Sequence, residues 1–62
     1  MDHLTTAQAS ELLGIPVATL RYWRSIGQGP RSFKMGRLTF YRRDELEAWV
    51  ETQYNATVSG AA

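Results

Sequence analysis

The sequence predicts a small α+β domain in which three short helices pack with a two-stranded β-hairpin. Capping-box spacings indicate helix starts near Thr5 and Asp44, and Pro16 indicates a third. Between the last two helices, two runs rich in aromatic and β-preferring residues flank a Gly-Arg pair, as in a hairpin. The 62 residues suffice for one domain, and a chain of this size buries roughly 60% of its unfolded surface.

The first two helices are predicted to follow each other closely. In "TTAQASELLG", Thr5 and Gln8 have capping-box spacing, and Gly14 can adopt the left-handed conformation that ends a helix. Pro16 fits the first position of the second helix, "PVATLRYWRSIG". Because only Gly14 and Ile15 separate the helices, they must cross sharply, which is the geometry of a helix-turn-helix.

The second half of the chain begins with the loop "GQGP". The runs "RSFKM" and "LTFYR" then form the hairpin, with its tip at Gly36-Arg37. Asp44 and Glu47 are expected to cap the last helix. The tail "NATVSGAA" has neither periodicity nor charge, so we expect a folded domain over residues 1–54 and a disordered tail over residues 55–62.

The second helix has two chemically different faces. One gathers apolar residues and is predicted to pack in the core, and the other carries small residues with one Arg and one Tyr. Ala18 and Ser25 leave this second face narrow enough to enter a DNA major groove about 12 Å wide. Arg21 can reach guanine edges or phosphate, Tyr22 can donate its hydroxyl to a phosphate, and Arg24 points toward the flank as a backbone contact.

The charges are segregated along the chain. All seven cations lie between residues 21 and 43, and no carboxylate occurs from Leu12 to Arg43. One side of the domain should therefore be positive and attract a polyanion, although a basic face that only maintains solubility is the alternative. Lys34 and Arg37 flank the hairpin turn and can reach a neighbouring groove or phosphate.

Several of these residues also have a purely structural interpretation. Tyr22 can be a half-buried packing residue, Arg21 an ordinary surface cation, and Thr19, between the two faces, can contact DNA or pack. Trp23 and Trp49 lie on apolar helix faces, which favours the core over stacking on single strands.

The second hairpin strand is expected to expose apolar side chains. Leu38 and Phe40 alternate with Thr39 and Tyr41, and only one of these pairs can face the core. Leu38 and Phe40 are therefore candidate contacts for another copy of the chain or for a protein partner.

Nothing in the sequence indicates an enzyme. There is no cysteine, the single histidine, His3, lies in a segment predicted to be loose, and the carboxylates crowd one helix without a partner base. We expect no catalytic residue, metal or cofactor. Because a leader and a membrane-spanning run are both missing, we expect a cytoplasmic, DNA-associated protein.

The segments "TLRYW", "GP", "KMGR" and "YRRDELEAW", in this order and spacing, resemble the small winged-helix proteins of the excisionase and MerR-like superfamily, which includes phage excisionases and AlpA-like regulators. The resemblance covers residues 4–50. It implies that the second helix enters the major groove through Thr19, Arg21 and Tyr22, and that the wing around Gly36 and Arg37 approaches the minor groove. It also implies that two aromatic residues close the core, Tyr41 and Trp49.

The chain also departs from that pattern. It has Ile15-Pro16 where relatives often carry a polar cap. It also has Leu38 and Phe40 where relatives often carry cations, so we expect the wing to bind phosphate less and to contact protein more. Full MerR activators continue into a long dimerisation helix, whereas this chain ends shortly after Tyr54. We therefore expect neither inducer sensing nor a coiled-coil dimer.

The resemblance implies an excisionase, several copies of which line up on tandem DNA sites, bend the DNA and direct a tyrosine integrase toward excision. A small AlpA-like transcription regulator or a DNA-packaging adaptor with the same fold is the alternative. A protein-interaction module such as an antitoxin would explain Leu38 and Phe40 but would leave the basic face unused.

Overall fold

The computed structural model describes residues 2–60. They form three helices and one three-stranded antiparallel sheet. The elements are β1 (His3–Thr5), α1 (Thr6–Leu13), α2 (Val17–Ser25), β2 (Phe33–Met35), β3 (Leu38–Arg42) and α3 (Arg43–Thr57). The predicted α+β class is confirmed, and so is the hairpin with its tip at Gly36-Arg37. We call this hairpin, which consists of β2, the turn and β3, the wing.

The sheet contains one strand more than the sequence predicted. β1 pairs with β3, with Leu4 opposite Tyr41, so β3 is the central strand of the order β1-β3-β2. His3 therefore lies in the sheet opposite Arg42, and the prediction of a loose segment around it is wrong. A strand of three residues is too short to show a hydrophobic period, and it is stabilised by its pairing with a strand far away in the chain.

The helix-turn-helix forms as its local signals predict. The Gln8 N–H donates to the Thr5 hydroxyl at 3.1 Å, and the Gln8 side chain accepts from the Thr5 N–H at 2.9 Å. Gly14 ends α1 in the left-handed conformation, with φ of 71°, and its N–H donates to the Ser10 carbonyl. The Ser10 hydroxyl donates to the carbonyl of Ile15, so a side chain of α1 also holds the link to α2.

The ends of the other two helices differ from the predictions. Pro16 is the N-cap of α2 and not its first helical residue, and α2 ends at Ser25, two residues before the predicted Gly27. The predicted capping box of α3 is wrong. Because β3 runs directly into α3, Arg42 is the N-cap, and the Asp44 carboxylate accepts from the Glu45 N–H at 2.8 Å within the first turn.

Helix α3 continues to Thr57, past the predicted domain end at residue 54. Residues 55–57, which were predicted to belong to the tail, therefore have helical backbone. The division at residue 54 and the disorder of the tail stay predictions, and the last two residues of that tail lie outside the described residues. No helix within residues 2–60 has the length and hydrophobicity needed to cross a membrane.

The core takes one fully or almost fully buried side chain from each of five elements. These residues are Leu4, Ala9, Leu20, Tyr41 and Leu46. The two tryptophans are half-buried and pack against each other beside this core. Trp23 packs against the buried cluster, and its ring centroid lies 5.8 Å from that of Trp49 with the ring planes tilted by 54°.

The loop after α2 is fixed against Trp23. The N–H of Gln28 donates to the Trp23 carbonyl at 2.8 Å, and Pro30 is buried. At Gly29, where φ is +78°, a Cβ atom would lie only 2.8 Å from the Cε3 atom of Trp23. Glycine is therefore required at residue 29 for its backbone conformation and for its lack of a side chain.

This contact generates a prediction with an internal control. Gly27 also has a positive φ, of +73°, but a Cβ atom there meets nothing within 4 Å. Gly27→Ala should lower the free energy of unfolding by about 1–2 kcal/mol, because of the left-handed backbone alone. Gly29→Ala should lower it by about 1–3 kcal/mol more, because the methyl group also displaces Trp23. Urea unfolding followed by circular dichroism measures both, and equal losses would contradict the packing role of Gly29.

Candidate nucleic-acid interface

A shallow concavity lies between the first turn of α1, the helix α2 and the wing. Its volume is about 370 Å³, and its lining brings together three arginines that are far apart in the sequence. Arg21 and Arg24 come from α2, and Arg37 comes from the tip of the wing. The residues that line the concavity are Thr5, Thr6, Ala7, Arg21, Arg24, Arg37, Leu38, Thr39 and Phe40.

The outward face of α2 is open to solvent. Five helical residues that were predicted for the interface are exposed. They are Ala18, Arg21, Tyr22, Arg24 and Ser25. Tyr22 is 61% exposed, which does not fit its interpretation as a half-buried packing residue. Thr19 is half-buried, as its place between the two faces of the helix requires. The Ser25 hydroxyl donates to the Tyr22 carbonyl at 2.7 Å, so Ser25 contributes its small size more than a free hydroxyl.

Ion pairs divide the seven cations into two sets. Arg31, Arg42 and Arg43 each lie within 4 Å of a carboxylate, at distances of 3.8, 3.2 and 3.1 Å. Within residues 2–60, no carboxylate lies within that distance of the other four. These four unpaired cations are Arg21, Arg24, Lys34 and Arg37, the same four that the sequence predicted for phosphate or base contact.

The wing places Arg37 at its tip. Met35 pairs with Leu38, so the turn contains only Gly36 and Arg37. Gly36 has φ of 64° and Arg37 does not have a positive φ, which is the pattern of a type II′ turn. Lys34 lies on β2 opposite Thr39 and is exposed, but it does not line the concavity.

The first turn of α1 is a part of this surface that the sequence did not predict. Thr6 and Ala7 line the concavity beside the arginines. The first N–H groups of a helix have no intrahelical partner and carry a partial positive charge, so this turn reinforces the attraction for anions. The capping box at Thr5 located the start of α1, but only the crossing of the helices brings that start beside α2.

Side-chain burial in β3 shows which of its two alternating pairs faces away from the core. Tyr41 is 1% exposed, so Leu38 and Phe40 lie on the opposite face of the sheet. Leu38 is 64% exposed. Phe40 is half-buried, because its ring packs edge-on against His3 at 5.0 Å and lies 6.0 Å from the Phe33 ring.

The chemistry of this surface suits a phosphate backbone. Four unpaired cations and a helix start supply hydrogen-bond donors and positive charge, and the phenolic hydroxyl of Tyr22 adds a further donor. Within the described range 2–60, no group of three or more His, Asp or Glu side chains is arranged to hold a metal ion.

Comparison with known proteins agrees with this geometry. The profile of a helix-turn-helix domain family matches residues 4–54, which include every helix start, the wing and most of α3. No curated protein matches the chain significantly. Proteins of the matching family are typically not enzymes. The chain therefore belongs to the helix-turn-helix domain family of the AlpA and excisionase type and is a sequence-specific binder of double-stranded DNA.

Proposed function

We propose that α2 lies in the major groove while the wing contacts the backbone beside the adjacent minor groove. The observation that carries this proposal is the convergence of Arg21, Arg24 and Arg37 on one concavity, together with the absence of a carboxylate partner for any of them within residues 2–60. A cation without an internal partner can give its full charge to a phosphate and can release the counterions that the phosphate holds.

Within this arrangement the side chains divide the work. Arg21 reads a base edge, because it lies on the exposed face of α2 between the small residues Ala18 and Ser25. The half-buried Thr19 lies at the border of this contact, between the two faces of α2. Phosphates are held by the remaining polar side chains, namely Tyr22, Arg24, Lys34 and Arg37.

The finer proposal is an excisionase that fills tandem sites, bends the DNA and directs a tyrosine integrase toward excision. One domain with so small an interface binds weakly, and contacts between neighbours on the DNA would raise the affinity. The exposed Leu38, at the rim of the DNA-facing concavity, supports such a contact. A small AlpA-like transcription regulator or a DNA-packaging adaptor is the second candidate, because the same surface also serves a single site.

Footprinting separates these candidates. The protein is titrated onto DNA that carries its own gene and any adjacent integrase attachment site. Adjacent direct repeats that fill together, with enhanced cleavage at bends, are expected for the excisionase. One protected patch at a promoter would favour the regulator. Uniform, salt-sensitive binding without protection of any sequence would contradict both.

Two arginines of this surface are expected to have different roles. Arg21→Ala should weaken binding to the preferred site by about 1–3 kcal/mol and reduce discrimination between that site and random DNA, because a base contact is lost. Arg37→Ala should weaken both DNAs alike and reduce the slope of log K against log salt concentration by about 1, because a phosphate contact is lost. Fluorescence anisotropy over a salt series measures all of these quantities.

The matched control for this pair is Arg43→Gln. Arg43 is also an arginine, but its guanidinium is bound to Asp2 at 3.1 Å. We expect Arg43→Gln to leave the salt slope unchanged. Equal losses on specific and random DNA for Arg21→Ala would show that Arg21 holds only phosphate.

Contacts between neighbouring copies are expected at the wing. Because Phe40 packs against His3 and Phe33, its replacement would disturb the sheet, whereas the exposed Leu38 can change without loss of packing. Because Leu38 also lines the DNA-facing concavity, Leu38→Gln should reduce cooperativity on tandem sites by a larger factor than it changes the affinity for one site. The control is Ile26→Gln, a similar change at a residue that is 47% exposed and lies outside the wing. Unchanged cooperativity for Leu38→Gln, measured by gel shift on one-site and three-site DNA, would contradict the contact.

A further inference from the structure

A second groove lies between the C-terminal end of α1 and the middle of α3. Its volume is about 360 Å³, and we call it the α1–α3 groove after its lining residues, Leu12, Leu13, Leu46, Glu47, Val50 and Glu51. None of these residues lines the DNA-facing concavity. Leu12 is 49% exposed and Val50 is 44% exposed, although both are apolar. The groove is thus an apolar surface that residues 2–60 leave uncovered.

The apolar surface continues along α3. Val50 and Tyr54 follow the buried Leu46 at four-residue intervals, so the three residues share one side of the helix. Tyr54 is 60% exposed, and Val58, directly after the helix, is 51% exposed. The stripe therefore begins in the core and runs outward along the helix, which gives a binding surface longer than the groove itself.

The two charged residues that line the groove, Glu47 and Glu51, are both acidic. Glu11 lies beside Leu12 in an adjoining depression, where the nearby Arg43 is paired with Asp2. Within residues 2–60, no cation lies within 4 Å of these three carboxylates, whereas Asp2, Asp44 and Glu45 are paired with arginines. Carboxylates at the rim of an apolar groove select an occupant that carries both apolar side chains and cations.

A second copy of the chain does not meet this requirement. Two α3 helices packed against each other would bring Glu47 and Glu51 near the same residues of the other copy, and α3 carries no cation after Arg43. The four unpaired cations of the chain lie on α2 and the wing, the surface proposed for DNA. A second copy that placed them in the groove would have to give up that contact.

We propose that the α1–α3 groove docks a short amphipathic helix of another protein, with apolar side chains in the groove and Lys or Arg side chains against Glu47 and Glu51. Helices of this kind bind apolar grooves through residues at intervals of three and four. Docking there leaves the DNA-facing concavity open, so the chain can hold DNA and the partner at the same time. The proposal does not depend on whether the protein is an excisionase or a regulator.

The probe is a fluorescein-labelled synthetic peptide of about 18 residues, long enough to form a helix. It carries Leu along one helical face and Lys on the flanking positions, and a second peptide carries Glu in place of every Lys. We expect the full chain to bind the Lys peptide at least about tenfold more tightly than the Glu peptide in fluorescence anisotropy. Binding should weaken as salt is added, because exposed charge pairs are screened.

Variants of α3 locate the binding. Glu47→Gln with Glu51→Gln should weaken the Lys peptide about tenfold, and Val50→Gln should weaken it by a similar factor. The matched control is Ala48→Lys with Thr52→Lys, which raises the net charge by the same amount on the opposite, exposed side of α3. It should change the affinity by less than about twofold. All variants should bind DNA no more weakly than the unchanged protein, which also shows that they are folded.

The peptide should shift the backbone amide resonances of Leu12, Leu13 and residues 46–51 in NMR spectra of the labelled protein. Equal affinity for the two peptides, equal losses in the control, or shifts confined to the sheet or α2 would overturn the proposal. A dimer of the protein alone that is lost in Val50→Gln, measured by sedimentation velocity, would assign the groove to a second copy and overturn it as well.

Discussion

The constraint on which the rest of the structure depends is the smallness of the core. Each of five elements contributes one buried side chain, from Leu4 in β1 to Leu46 in α3. Truncation of a buried leucine to alanine costs about 2–5 kcal/mol, and a small domain is stabilised by only about 5–15 kcal/mol. Each of these five elements therefore depends on the others, including the three-residue strand β1, whose Leu4 lies opposite Tyr41.

The same small core fixes the DNA-facing geometry. Leu20 holds α2 with one side inward, so that Arg21 and Tyr22 lie outward. Tyr41 holds β3 with one side inward, and the wing that β3 forms with β2 then carries Arg37 to the edge of α2. Trp23 connects these parts, because the loop that leads into the wing packs against it at Gly29. The surface that we propose for DNA contact spans the helix and the wing, and its shape is thus set by residues of the interior.

The chain has nearly equal numbers of basic and acidic residues, and internal ion pairs leave it with one positive and one negative surface. Three arginines are bound to three carboxylates near the ends of the sheet and of α3. The cations that are left over lie on α2 and the wing, and the acids that are left over lie around the α1–α3 groove. A phosphate backbone attracts the first surface and repels the second, so the charges orient the domain before any specific contact forms. In the proposed complex, the same charges keep the α1–α3 groove away from the phosphates.

Local chemistry in the sequence determined those parts of the protein that depend on neighbours in the chain. The cap formed by Thr5 and Gln8, the left-handed Gly14 and the turn at Gly36-Arg37 each satisfy backbone requirements within a few residues, and the structure contains all three as predicted. The segregation of the cations, visible in the sequence, likewise indicated a polyanion before any fold was known.

Only the tertiary structure decided what depends on contacts between distant residues. β1 exists because Leu4 meets Tyr41, and α3 starts at Arg43 because β3 runs into it, which removed the predicted cap at Asp44. The pairing of Arg43 with Asp2 likewise joins residues that are 41 positions apart in the chain. The sequence showed seven cations without distinguishing those that would be bound internally. That distinction requires distances between side chains, because an ion pair forms only where the folded backbone brings both partners together.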